Sequence, residues 1–301
     1  MTAPLITAPG CYDGISAEDY HGWEICPGPS ISSSGLKKIR DASPLHYWWR
    51  SPLNPARPVE KAARHFSIGK AAHDMLLLAE RWPERYHILP DGFSRAKTKA
   101  MADDIAEADA ALEDGKTLLT ADDAALAEQM ADAIRANRFA AASLTNGLPE
   151  QTLAWQDSET GVWLRARPDF LPHARRFIPD LKTAADASPA AFQRAMATYG
   201  YHQSAALYMD GIEAVFGERP EAFFFVVVEK QEPFCVALYQ IEAEDIERGR
   251  MLNRAAINTF ARCLRENHWP GYADDVRPLP LPAWEQRQID QANAAGELET
   301  A

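Results

Sequence analysis

The chain has 301 residues, of which 47% are hydrophobic and 25% charged, a globular composition long enough to bury a core. No stretch approaches the ~20 consecutive apolar residues of a membrane span, and no basic patch precedes an apolar core at the start, so no cleaved export signal is expected. Four cysteines (Cys11, Cys26, Cys235, Cys263) lie far apart without a Cys-x-x-Cys pair, which excludes a zinc ribbon or disulfide scaffold and suits a reducing cytoplasm.

The net charge of −12 is unevenly spread. Ten acidic residues and one lysine, Lys116, fall between Met101 and Asp132. Between Gly35 and Lys70 eight basic residues face only Asp41 and Glu60, and Arg165, Arg167, Arg175, Arg176 and Lys182 form a second basic group. One acidic segment masks two basic ones, so a phosphate-rich ligand stays compatible with the sum.

In chain order, the first thirty residues, rich in Gly, Pro and Ser, read as an irregular lead-in. Ser32-Ser33-Ser34-Gly35 supplies N-cap hydroxyls for a short helix, and Pro44 opens another bearing Tyr47, Trp48 and Trp49. Ser67 to Arg81 carries apolar residues at helical spacing and is expected to stop at Pro83. From about 96 to 146 two helical patterns form an expected antiparallel hairpin with a solvated acidic face, dispensable for chemistry. Gln151–Gln156 and Val162–Leu171 read as strands joined by a turn-rich connector, and Arg176–Lys182 as a third. Helices from Ser188 and from about His202 to Phe216 precede Ala222–Glu229, a continuous apolar run expected of a strand buried on both faces. Phe234–Ile241 reads as its hairpin partner, and a long helix runs from about Glu244 to Asn267. The fold class is α/β: a central mixed β-sheet flanked by helices, with an added helical hairpin. One domain is expected over 1–276, with its catalytic core at about 150–241, and a polar tail over 277–301.

The informative stretch is Arg167-Pro168-Asp169 followed by Asp180-Leu181-Lys182. Residues two apart on a strand share a face, so Asp180 and Lys182 point the same way, and pairing of the two strands would bring Asp169 alongside. Two carboxylates and a lysine suit a hard divalent cation that polarises a phosphoryl oxygen and lowers the pKa of bound water, with Lys182 orienting that water or stabilising developing charge. Such a pattern also fits solvated surface charges. His73, on the helix with Gly69, Ala71 and Ala72, reads by itself as a half-buried polar residue. The segment Tyr47 to Arg50 with Arg57, Lys61, Arg64 and His65 fits either stacking on a nucleic-acid end or core packing beside surface cations. No Gly-rich phosphate loop is present, so no nucleotide cofactor is expected.

Together these residues resemble the PD-(D/E)XK nuclease superfamily, in the RecB-related branch that contains RecE-type (exodeoxyribonuclease VIII-like) phage and prophage exonucleases. Ser32 to Leu36 with Ser43 to Tyr47 is similar to the family's N-terminal signature, Phe66 to His73 to its Gly-x-x-x-His helix, and Arg167 to Asp169 with Asp180 to Lys182 to its core. Tyr201 to Gly211 resembles the helix after the core. The resemblance implies a restriction-endonuclease-like core. His73, Asp169, Asp180 and the Leu181 carbonyl would ligate Mg²⁺ or Mn²⁺, with Lys182 as catalytic lysine and Gln203 as the supporting glutamine. The family places that glutamine four residues before the tyrosine; Gln203 is five before Tyr208, and Ser204 holds the expected place. Glu150 reads either as a holder of a second metal or as a solvated loop acid. Ser43 stands where iron–sulfur members carry cysteine, so no iron–sulfur cluster is expected. Arg64, Lys70, Arg165 and Arg167 are the candidate DNA contacts.

The implied activity is exodeoxyribonuclease action on double-stranded DNA ends, 5′ to 3′, in the cytoplasm of a bacterial or phage-infected host cell. The implied partners are a single-strand annealing protein and further copies of the chain in a ring, with no membrane. A non-catalytic DNA-binding or assembly protein on the same scaffold, and a single-strand or endo-acting nuclease, are the alternatives.

Overall fold

The computed structural model describes residues 5–22, 25–58, 68–96, 99–272 and 275–298. The lead-in is more ordered than its composition implies: it holds β1 (Gly10–Tyr12), α1 (Ala17–His21) and β2 (Ser30–Ser32). Then come α2 (Ser33–Asp41) and α3 (Pro44–Arg50), the latter opened by Ser43, whose hydroxyl accepts from the His46 N–H. The next helix, α4 (Ile68–Leu77), ends earlier than the apolar spacing suggests. Leu78 leaves helical geometry, a 3₁₀ turn follows, and Pro83 sits in the first turn of a new helix, α5 (Trp82–Arg85), where its missing N–H is harmless. Pro83 therefore starts a helix instead of stopping one. Beyond it run β3 (Tyr86–Ile88), α6 (Ala102–Glu113), β4 (Thr117–Leu119), α7 (Ala121–Ala136) and α8 (Arg138–Ser143).

The second half is strand-rich: β5 (Gly147–Pro149), β6 (Thr152–Gln156), β7 (Trp163–Ala166), β8 (Phe170–Pro172) and β9 (Phe177–Ala184). Helices α9 (Pro189–Tyr199) and α10 (Tyr201–Phe216) lead to β10 (Ala222–Glu229), β11 (Val236–Gln240), α11 (Ala243–Glu266) and α12 (Ala283–Ala294). One sheet has the order β1-β6-β7-β2, with β2 parallel to β7 and the other pairs antiparallel. A three-stranded sheet has the order β11-β10-β9, with β10 parallel to β9 and antiparallel to β11, and two further pairs, β3-β4 and β5-β8, stand apart from these two larger sheets. Both are mixed, and helices cover them. The stretch expected as one strand, Val162–Leu171, is two, because Arg167-Pro168-Asp169 interrupts it and proline cannot donate to a ladder.

Alternation along β10 explains its unbroken apolar run. Phe223, Phe225 and Val227 pack with Leu207 and Ile212 of α10 and Phe260 of α11. Val226 and Val228 face the other way, with Leu181 of β9, onto Ala71 and Ala72 of α4 and Ala127, Met130 and Ile134 of α7. The strand is buried on both faces, as its composition requires. This corrects the view of the acidic segment as dispensable: α7 packs along α4 and closes the second core. Its acids occupy the outward side only. Gly200, at φ +61°, makes the left-handed turn that lets α10 follow α9 directly. Gly249 of α11 lies so close to α10 that an added Cβ would stand 2.3 Å from the His202 carbonyl oxygen.

Candidate active site

Asp169 follows the Pro168 break and reaches the middle of β9 by its side chain: Oδ2 accepts the Leu181 N–H at 2.8 Å. From α4, His73 Nε2 approaches the same oxygen at 3.2 Å. Asp180 and Lys182 share a face of β9, as strand periodicity demands, and their side chains are in direct contact. Lys182 Nζ also donates to the Leu181 carbonyl at 3.0 Å and stands 4.0 Å from Asp169 Oδ2. The four groups named from sequence therefore meet at one place, with Asp180 only 4% exposed. A cavity of about 300 Å³ opens beside them, lined by Lys70, His73, Glu150, Lys182 and Tyr201 among others.

The electrostatics follow from crowding two carboxylates and two cations in a buried space. Burial, then the Asp169 carboxylate, push the Asp180 carboxyl up, against the pull of Lys182. Burial also opposes ionisation of Asp169, but His73 and Lys182 outweigh it and hold that carboxyl below its usual range. Burial would lower His73, yet Asp169 raises it. Lys182 is likewise held charged by Asp180 and Asp169 despite desolvation, and its ammonium lies 5.1 Å from the centre of the Tyr201 ring.

One stripe of α10 faces this cluster. Tyr201 touches Lys182; burial and then the charges of Asp180, Tyr20 and Asp169 push the Tyr208 phenol up. Between them Ser204 Oγ accepts from Lys37 Nζ at 3.0 Å and lies 2.9 Å from Ser33 Oγ. Lys37 was not singled out in the sequence as a site residue. Burial, and then the nearby Lys182, lower its pKa. A signal was present: Ser33 and Lys37 are four apart on one helix and so share a face, opposite the serine that holds the glutamine's expected place.

Gln203 is a correction. Residues 201, 204 and 208 recur at helical spacing, which turns position 203 to the opposite side of α10. Its side chain is fully buried, neither amide atom finds a hydrogen-bond partner, and its backbone carbonyl accepts from Asn253 of α11. Arg165 and Arg167 are also corrections as simple DNA contacts. Arg165 is 6% exposed and donates to the Tyr20 and Gly22 carbonyls. Arg167 donates to Thr152 Oγ1 and to the Ile15 carbonyl and lies over the Tyr20 ring. Both pin the N-terminal segment to β7. Lys70 stays at the cavity mouth, paired with Asp74 at 3.0 Å. Arg64 lies outside the described residues. Glu150 has a left-handed backbone (φ +48°), an uncommon conformation for a non-glycine residue, and borders the cavity with Arg85 3.4 Å away.

The donors suit a hard divalent cation: two carboxylates, the Leu181 carbonyl and an imidazole. They are not arranged as a closed chelate, for among the described residues no three His, Cys, Asp or Glu side chains are grouped as a metal site. Asp169 is engaged by His73 and the Leu181 N–H, and Asp180 by Lys182. A cation would have to compete with the Lys182 ammonium and the His73 proton, as ligand deprotonation generally requires. The donor chemistry fits; the pairing is what a cation would rearrange.

No helix among the described residues is long and apolar enough to cross a membrane. No curated protein matches the chain. Its fold is similar to the crystal structure of a "Putative exonuclease" from Eubacterium rectale, at 14% identity and a TM-score of 0.61, covering 91% of this chain and 98% of that one. The family described as a PDDEXK-like domain of unknown function (DUF3799) matches residues 32–278, which take in α2, the His73 helix and strands β3 to β11. The chain belongs to this PDDEXK-like family.

Proposed function

We propose that the protein is a divalent-metal-dependent exodeoxyribonuclease that degrades double-stranded DNA from an end, 5′ to 3′. The observation that carries the reading is the meeting of Lys182 with Asp180, Asp169 and His73 beside an open cavity, on a PDDEXK-like fold. The name borne by the Eubacterium rectale structure agrees with end-directed cutting. His73, Asp169, Asp180 and the Leu181 carbonyl would hold Mg²⁺ or Mn²⁺. When bound, the cation supplies Lewis-acid polarisation of the scissile phosphate and a lowered pKa for attacking water.

The chain's own residues do the rest. Lys182, kept protonated by its two carboxylate neighbours, presents a fixed positive charge to the phosphorane-like charge that develops during displacement. Tyr201 limits the freedom of that ammonium. Lys37, held by Ser204 and the Tyr199 carbonyl, adds a second cation on the α10 side. Lys70 at the mouth can meet a neighbouring phosphate. Recombination through a single-strand annealing partner, and assembly into a ring, extend the proposal by the family resemblance.

The test is a pair of duplexes, one linear and one covalently closed circle, each with Mg²⁺ or with EDTA. The reading expects nucleotides released from the linear duplex with Mg²⁺ alone. Cutting of the circle would make the protein an endonuclease, and binding without release would make it a DNA-binding scaffold.

A further inference from the structure

Arg85 of α5 bridges two segments that carry the candidate ligands. Its Nη1 donates to Asp74 Oδ2 at 3.0 Å, and its Nη2 donates to Glu150 Oε2 at 3.4 Å. Asp74 follows His73 in α4 and is only 1% exposed. Glu150 follows β5, and its backbone N–H donates to the Asp169 carbonyl at 3.1 Å, which prolongs the antiparallel β5–β8 pairing. Asp169 Oδ2 in turn lies 3.2 Å from His73 Nε2. The contacts therefore close a ring that runs through His73, Asp74, Arg85, Glu150 and Asp169 and returns to His73.

The chemistry of each member suits a brace. A guanidinium presents its donors in a planar fork, so one side chain can hold two carboxylates from different elements in a fixed relation. Glu150 adopts its left-handed backbone (φ +48°) while its N–H meets Asp169 and its carboxylate meets Arg85. The start of α5 is anchored to α4 as well, because Trp82 Nε1 donates to the Ala71 carbonyl at 3.2 Å. Trp82 stacks on Tyr86, whose hydroxyl donates to the same Asp74 oxygen at 2.9 Å. Arg85 lines a cleft of about 620 Å³ that shares Lys70, Asp74 and Glu150 with the catalytic cavity.

We propose that Arg85 is a positioning residue for the candidate active site: by tying Asp74 to Glu150 it holds His73 and Asp169 at the spacing at which both can ligate one cation. The inference rests on the metal-dependent nuclease reading. Its sign separates it from plain electrostatics. A guanidinium near a metal site repels the metal, so if charge alone mattered, removing Arg85 would tighten metal binding. A brace predicts the reverse.

Mn²⁺ is titrated calorimetrically into wild type, Arg85→Gln, Glu150→Gln and the double variant, and binding of a linear duplex in EDTA is measured by fluorescence anisotropy. Asp74 keeps Lys70 and Tyr86 as partners when Arg85 is replaced. Glu150→Gln spares the buried Asp74–Arg85 pair and the N–H bond to Asp169, and circular dichroism confirms each fold. Each single variant is expected to bind Mn²⁺ about 10-fold more weakly, and the double variant no more weakly than either, with duplex affinity unchanged. Mn²⁺ affinity in Arg85→Gln equal to or above wild type, or losses that add in the double variant, would overturn the proposal. Weaker duplex binding with Mn²⁺ affinity kept would overturn it too, and would make Arg85 a phosphate contact. If wild type itself binds no Mn²⁺, the metal reading fails, and metal-free crystal structures of wild type and Arg85→Gln still decide the brace. A wider His73–Asp169 separation in the variant supports it, and an unchanged one overturns it.

Discussion

Lys182 is surrounded by two carboxylates, a carbonyl and a tyrosine ring, which keep it charged before any substrate arrives. Replacing it by alanine should lower nucleotide release from linear duplex by at least about 10³-fold, the scale of lost transition-state stabilisation. Asp180→Ala should do the same, with DNA binding retained in both; appreciable residual cutting would move the chemistry elsewhere. Gln203 gives the converse prediction. Its amide is buried without partners, so Gln203→Met should leave hydrolysis unchanged and raise stability by up to about 1–3 kcal/mol, whereas Ser204→Ala should lower turnover by freeing Lys37. Thermal melts and initial rates on the two variants decide this. The Asp180–Lys182 pair was legible in the sequence because strand alternation alone puts both on one face. Arg165 and Arg167 misled because a count of charges does not see the carbonyls that hold them.

Among the elements, α4 carries His73 and is clamped between the sheet and α7. Deleting 101–132 should therefore unfold the domain, not merely trim an acidic ornament. Ala127→Glu, which puts a charge against the buried Ala71 and Ala72, should cost about 3 kcal/mol or more. Chemical denaturation would show it, and a wild-type midpoint would contradict the packing. The acidic, alanine-rich composition of 96–146 displayed the outward faces of these helices; the inward stripe of Ala124, Ala127 and Met130 is too small-sided to announce a core. Far from the site, Asp157 in the β6–β7 turn accepts two bonds from Arg254 of α11, at 3.0 and 2.7 Å. Burial opposes ionisation of Asp157, but Arg254 and Thr160 hold its carboxyl below the usual range. Its folded pKa lies below the unfolded value of about 3.9, so its contribution is complete above that pH and is lost as pH falls through the folded value. Asp157→Ala should cost about 1–3 kcal/mol at pH 7, discounted because Arg254 is partly exposed. The difference in melting temperature from wild type should shrink below about pH 4; a difference independent of pH would contradict the pairing.

At the scale of the whole molecule, the acidic sum conceals a division of labour. Lys38, Arg50 and Arg165 border one cleft between α2, α3 and β7, and Lys70 and Lys182 border the catalytic cavity, while the acidic helices α6 and α7 turn their charge outward. The α/β class was legible from the alternation of strands and helices, and the doubly buried β10 from its continuous apolar run. The small strands of the lead-in were not, because three-residue edges in Gly- and Pro-rich sequence carry no period to read. In the proposed function His73, Asp169 and Asp180, far apart in sequence, hold a divalent cation beside Lys182. Calorimetric titration of Mn²⁺ into wild type, His73→Ala and Asp169→Asn tests it most directly. Saturable binding with proton release in wild type, weakened at least about 10-fold in either variant, is the expected result. Binding of equal strength in all three proteins would contradict it.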